Sequence, residues 1–310
     1  MNRRSRQIFF VCTGAYFLAQ ASGASAMAAG TAHPPYAQIA DGLVALAQAE
    51  PGWATAMDYG LTPEGRPLRA LRIEDPRRPA SHKRPAVLIT GTTHGDEYLH
   101  IEDRLAAWFL DHREGRGGTA EFFAAGGVLL IVPIVNPDAF AANQRDNSHK
   151  VDLNRDFAQP QQHVAGFEEP ESRLLARWLA AELSSQDLDL RMTLDYHCCA
   201  GALLLPRSYN QAAVTPTEAA LFAKISRLVP QEIDSTYRYG SSDKILGYDA
   251  VGTSKDYYRE TYGSLSFTFE GRQNSEASRF AQHAQWWDQV LPLLVVEPSV
   301  LAQSQASADN

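Results

Sequence analysis

Residues 86–97 read Ala-Val-Leu-Ile-Thr-Gly-Thr-Thr-His-Gly-Asp-Glu: a short apolar β-rich run, a polar turn, and then an imidazole and a carboxylate three positions apart, His94 and Glu97. Ala86 to Thr90 is bounded by chain breakers and fits a buried strand. From Leu99 to Arg113 apolar residues recur at spacings of three and four, the period of a helix, which would put His94 and Glu97 at that helix's head. The pattern recurs outward in both directions. Val128 to Val135, Arg191 to Tyr196 and Leu265 to Phe269 are further strand-like runs, and Pro35 to Glu50, Glu168 to Leu183, Thr217 to Val229 and Ser275 to Val295 carry helical spacing. Strands alternating with helices predict a layered α/β sheet, and such sheets bind ligands beyond the carboxyl ends of their strands.

The composition, 45% hydrophobic and 21% charged over 310 residues, is that of a globular protein and excludes disordered, collagen-like and multi-span membrane classes. The first residues depart from it: Arg3, Arg4 and Arg6 precede an apolar run from Ile8 to Leu18, followed by Ala24-Ser25-Ala26 or Ala26-Met27-Ala28 as a small-x-small cleavage site. This is the pattern of a secretory signal over residues 1–28, and its apolar run is short of the roughly 20 residues a membrane span needs. Export to the periplasm or medium is expected, by the general route or, given Arg3-Arg4, by the twin-arginine one. Loss of the three arginines takes the formal charge from -8 to -11, so no basic stretch remains for phosphate backbones and nucleic acid is excluded as a partner. No membrane span is expected after signal removal. Cys12 leaves with the signal, and Cys198-Cys199 read as buried small residues on a strand, since a ring between neighbours is strained. No linker divides residues 33–297, no folded inhibitory segment is expected before Pro35, and residues 298–310 have too little to bury to be ordered.

Four clusters carry chemistry. His94 and Glu97 are joined by His197, at the end of Thr193-Leu194-Asp195-Tyr196-His197; two imidazoles, one carboxylate and a position left to water form a known catalytic zinc arrangement. Asn136-Pro137-Asp138, Arg145 and Asp152-Leu153-Asn154-Arg155 lie between them, and a guanidinium fork beside an asparagine suits a terminal carboxylate. Ser266-Phe267-Thr268-Phe269-Glu270 puts an acid at the end of an apolar strand, a costly place for charge unless a proton moves there or a cation lies nearby.

These motifs, in this order, together with Tyr59-Gly60 and the turn Pro63-Glu64-Gly65-Arg66-Pro67-Leu68, resemble the zinc carboxypeptidases of the carboxypeptidase A and B superfamily over most of the chain after the signal. The resemblance implies one three-layer α/β/α domain on a mostly parallel, mixed, twisted sheet. It makes His94, Glu97 and His197 the ligands of one Zn2+, Glu270 the general base toward a zinc-activated water, Arg145 the clamp on the scissile carbonyl, and Asn154 and Arg155 the anchor for the substrate's C-terminal carboxylate. An ungapped count back from Glu270 places Tyr248 where the family keeps a mobile tyrosine that closes over substrate, and Lys255 at the floor of the pocket for the terminal side chain. Lys255 receives an acidic group there, or else pairs with Asp256 or points to solvent. Ala139, where many relatives have Gly, and Cys198-Cys199, where digestive members have Ser-Tyr, depart from the pattern without touching a ligand or the base.

The expected partner is a peptide, ending in Glu or Asp, or a cell-wall stem peptide ending in diaminopimelate, and related bacterial enzymes cut the γ-D-Glu to diaminopimelate bond. Two further readings are a deacylase of the aspartoacylase and succinylglutamate desuccinylase type, against which the Glu64-Gly65-Arg66 turn and the Phe-Thr-Phe-Glu strand speak, and an inactive peptide-binding module.

Overall fold

In the computed structural model the described residues are 33–78, 83–207, 214–272 and 276–295. The expected signal and tail lie outside them, as does Ser275, the first residue of the last predicted helix. In chain order the elements begin with helix α1 (Tyr36–Ala49) and an antiparallel pair, β1 (Ala54–Leu61) and β2 (Pro67–Glu74). Strand β3 (Arg84–Gly91) leads to α2 (Glu102–Asp111) and α3 (Gly118–Ala124), and β4 (Val128–Val132) to α4 (Pro137–Ala142) and α5 (Pro170–Ser185). Then follow β5 (Leu188–Cys198), β6 (Ala202–Leu205), α6 (Pro216–Leu228), β7 (Arg238–Ser241), α7 (Ser242–Leu246), α8 (Ser254–Tyr262), β8 (Leu265–Gly271) and α9 (Phe280–Val290).

The described strands form one sheet in the order β1-β2-β4-β3-β5-β8-β6-β7. Its centre, β4-β3-β5-β8, is parallel, while β2 joins β4 and β6 joins β8 antiparallel. Alternation along each central strand sends successive side chains into opposite layers. Val87, Ile89, Leu129, Ile131, Leu194 and Phe267 pack into a core with Leu105 and Phe109 of α2, Phe222 of α6 and Trp286 and Trp287 of α9. Ala86, Leu88, Leu130 and Leu190 face the other way, against Leu175 and Leu179 of α5 and Tyr258 of α8. The protein is thus an α/β/α sandwich with a mixed, centrally parallel sheet. No helix among the described residues is long and apolar enough to cross a membrane.

Two expectations need correction. His94 and Glu97 do not head a helix: α2 begins at Glu102, because His100 takes a positive φ of 60° that ends any helical run before it. Cys198 and Cys199 are not two buried strand residues: β5 ends at Cys198, and Cys199 is exposed.

Beneath the β3–α2 connection lies Glu102, wholly buried. Its Oε1 takes a hydrogen bond from Thr92 Oγ1 at 3.0 Å and its Oε2 one from the Ile101 N–H at 3.0 Å. Burial, with the charge of Asp103, raises its carboxyl from the ordinary 4.5 to about 8. The folded state therefore holds a proton that the unfolded chain releases above 4.5, so the contribution of this group is fully present below 4.5 and is lost as pH rises through 8. Glu102→Gln, which keeps the shape without the charge, should match wild type in Tm near pH 4, gain on it up to about pH 8 and level off above that. A constant Tm difference across that range would show that Glu102 does not titrate there.

Candidate active site

Strands β3, β5 and β8 run parallel and side by side, so their carboxyl ends meet at one edge. The β3 end carries His94 and Glu97 in the loop that follows Gly91; the β5 end carries His197, whose register partner on β8 is Glu270. The loop after β3 is held tightly. Asn136 caps α4 by accepting from the Ala139 N–H, and its Nδ2 donates to the Thr93 carbonyl at 3.2 Å. Gly95 packs on the α4 backbone so closely that a Cβ there would lie 2.1 Å from the carbonyl carbon of Ala139. Asp138 in turn accepts from Thr62 Oγ1 at 2.7 Å and Arg66 Nη1 at 2.6 Å, which ties the Glu64-Gly65-Arg66 turn to the same support.

His94 Nδ1, His197 Nδ1 and the Glu97 carboxylate converge. Their ligand atoms lie within 4.8 Å of one another, with 3.1 Å between the two ring nitrogens, 3.0 Å from His94 Nδ1 to Glu97 Oε1 and 2.9 Å from His197 Nδ1 to Glu97 Oε2. Each ring's other nitrogen meets a carboxylate, His94 Nε2 with Asp152 Oδ1 at 2.8 Å and His197 Nε2 with Asp195 Oδ2 at 2.9 Å. A proton held at Nε2 leaves the lone pair on Nδ1, facing the cluster, as a metal ligand requires. Burial alone would raise the carboxyls of Glu97 and Asp152, yet hydrogen bonds and charge from the histidines hold both well below the usual range. Glu97, Asp152, Asp195 and Glu270 thus surround two imidazoles and the one guanidinium of Arg145, an excess of negative charge that fits a divalent cation at the Nδ1–Glu97–Nδ1 position.

All the remaining predicted residues are gathered here. His94, Glu97, Arg145, Asn154, Arg155, Tyr248, Lys255 and Glu270 line one cavity of about 180 Å³, and His197 lies behind it, 1% exposed. Arg145 bridges Glu97 and Asp152 at 2.9 Å each. Asn154 sits in a short turn capped by Asp152, and Arg155 Nη1 donates to the Asn154 carbonyl at 2.7 Å. Glu270 is half-buried, and its partial burial together with the charge of Glu97 raises its carboxyl above the ordinary value against the pull of His197. Tyr248 stands at the rim, 53% exposed. Lys255 is 3% exposed and makes the pairing that sequence left open: its Nζ reaches Asp256 Oδ2 and Thr253 Oγ1 at 3.0 Å each. It also borders a second cavity of about 200 Å³, with Arg207, Asp243, Asp249 and Asp256 on its walls.

Sequence reasoning assigned no part to Asp152 and Asp195. The signal for Asp195 was present: two residues before His197 on a strand, it shares that residue's face. Asp152 belongs to the Asp-Leu-Asn-Arg motif, but its reach to His94 crosses elements. The walls of the second cavity come from α7, α8 and separate loops, and no local pattern joins them.

An α/β sandwich with a His-carboxylate-His cluster at the carboxyl edge of its sheet is a metalloprotein framework. The chain belongs to the zinc carboxypeptidase family, whose model matches residues 39–289. It is 32% identical to Carboxypeptidase SOL1 of Arabidopsis thaliana over 151 residues, covering 47% of this chain and 28% of that protein. It is 26% identical to Metallocarboxypeptidase A of Trichophyton equinum over 271 residues, covering 76% and 62%. The chain therefore spans less than two thirds of these relatives' length. The fold is similar to that of carboxypeptidase A from Helicoverpa armigera, at TM-score 0.64 and 20% identity over 84% of this chain and 73% of that one. A metallo-carboxypeptidase from Burkholderia cenocepacia gives 0.62 and 19%, over 84% and 69%.

The tight seat of Gly95 predicts that Gly95→Ala pushes the metal-facing loop off α4, at a cost of about 1–3 kcal/mol as for other overpacked cores. A lower Tm together with weaker zinc retention in dialysis is the expected result; a variant with unchanged Tm would show that the loop has room.

Proposed function

We propose that the protein is an exported zinc metallocarboxypeptidase that hydrolyses the C-terminal peptide bond of peptides. The observation that carries this reading is the meeting, at one cavity of a zinc carboxypeptidase family member, of the His94–Glu97–His197 cluster, a half-buried acid and an Asn–Arg pair. In it residues 1–28 are a signal, 33–297 the catalytic domain and 298–310 a tail.

His94, Glu97 and His197 would hold the zinc, which would supply Lewis acidity and a nucleophilic water at neutral pH. Glu270 takes the proton from the attacking water and passes it to the leaving amine; its seclusion suits it to both, because a raised pKa brings the acid closer to working pH. Arg145 places a guanidinium N–H toward the scissile carbonyl oxygen as negative charge grows there. Asn154 and Arg155 grip the terminal carboxylate, which restricts cleavage to chain ends. Tyr248, exposed at the rim, closes over the bound residue.

Lys255 on the wall shared with the second cavity favours a terminal residue with an acidic group: a peptide ending in Glu or Asp, or a wall stem peptide ending in diaminopimelate. Its pairing with Asp256 tempers that preference, since the ammonium is already partly answered.

Elemental analysis of the purified protein should find one zinc per chain. The wild type should release the terminal residue from peptides ending in Glu, Phe, Lys or diaminopimelate, with Glu or diaminopimelate ahead, and Glu270→Ala should lose about 10²–10⁴-fold in kcat with zinc retained. Arg155→Ala should act mainly on KM. A metal-free protein, or one that binds these peptides and releases nothing, would sink the reading.

A further inference from the structure

Asp195 is 3% exposed, and its only ion-pair partner among the described residues is His197. An isolated carboxylate so far from water is costly unless donors surround it. Asp195 collects four: Thr90 Oγ1 at 2.8 Å, Thr93 Oγ1 at 3.2 Å, Ser254 Oγ at 2.8 Å and His197 Nε2 at 2.9 Å. A packed core at this point would need none of this, because an apolar residue of similar volume is usually as stable or more so. The donors also come from the parts that carry function. Thr90 and Thr93 lead from β3 to His94, His197 is on β5, and Ser254 opens α8.

Ser254 extends the connection. Its backbone N–H donates to Asn154 Oδ1 at 3.0 Å, a contact that demands the oxygen of the amide at that place and so turns Nδ2 and its two hydrogens the other way. Asn154 Nδ2 lies 3.3 Å from His197 Nε2. With the ring proton directed at Asp195 that nitrogen has no lone pair to offer, so the amide hydrogens stay available to a ligand in the cavity.

We propose that Asp195 is a positioning residue with two outputs: it holds the His197 ring with Nδ1 toward the metal and, through Ser254, holds the amide of Asn154 toward the substrate's terminal carboxylate. The second output rests on the carboxypeptidase reading; the first does not. One buried carboxylate thereby sets the spacing between the metal and the substrate's chain end.

The test pairs two variants, each checked for a wild-type circular dichroism spectrum. Asp195→Asn should weaken zinc by about 10–100-fold, the usual cost of losing a carboxylate partner of a ligating histidine, as read by competition with a chromophoric chelator. Ser254→Ala should hold zinc within about threefold and, at saturating zinc, raise KM for a peptide by ~3–10-fold with kcat nearly kept, the cost of about one hydrogen bond. Wild-type zinc affinity in Asp195→Asn overturns the first output, and an unchanged KM in Ser254→Ala overturns the second. If Asp195→Asn does not fold, Asp195→Ser takes its place in the zinc titration with the same expected loss, and Ser254→Ala still decides the second output by its split between KM and kcat. A wild type that binds zinc and cleaves no peptide would instead refute the carboxypeptidase reading, while the zinc titration would still decide the first output.

Discussion

The parallel alignment of β3, β5 and β8 is the constraint on which the rest of the molecule depends. In a parallel set every strand ends at the same edge, so three segments far apart in the chain deliver His94 and Glu97, His197, and Glu270 within reach of one another. The crossovers required by that arrangement supply the helices of both outer layers. The antiparallel additions β1, β2 and β6 lie outside the parallel centre, though β6 closes the far side of β8 at the level of Glu270.

Gathering so much charge at a buried edge is costly, and the structure offsets it by satisfaction rather than by exposure. Asp195 is answered by three hydroxyls and an imidazole, Asp152 by His94 and Arg145, Asp138 by Thr62 and Arg66. Residues such as Thr90, Thr93 and Asn136, which touch no substrate in the proposed scheme, hold the loop in which the ligands sit. A half-satisfied network here would cost more than an apolar core, and each of these three carboxylates meets at least two donors.

Where the sequence reading failed, the causes were local geometry. The predicted helix head at His94 gave way to a loop because His100 and Thr92 adopt positive φ, something periodicity does not register. Strands β1, β2, β6 and β7 and helices α3, α4, α7 and α8 went unnamed: β1 and β2 carry few consecutive apolar residues, β6, β7, α3, α4 and α7 are short, and α8 is polar along most of its length. Cys198 and Cys199 were read as strand residues, whereas the strand stops between them.

The sequence by itself determined the alternation of strands and helices, and hence the α/β class, because apolar period and breakers are local properties of the chain. It also determined the set of candidate residues, since His-x-x-Glu, Asn-Arg and a strand-end Glu are chemical types read without coordinates. Only the tertiary structure decided that these residues share one cavity, that Lys255 is already paired with Asp256, and that Asp195 joins His197 to Ser254 and Asn154. Those facts depend on distances between segments up to about a hundred residues apart, fixed by sheet order and packing, on which one-dimensional spacing is silent.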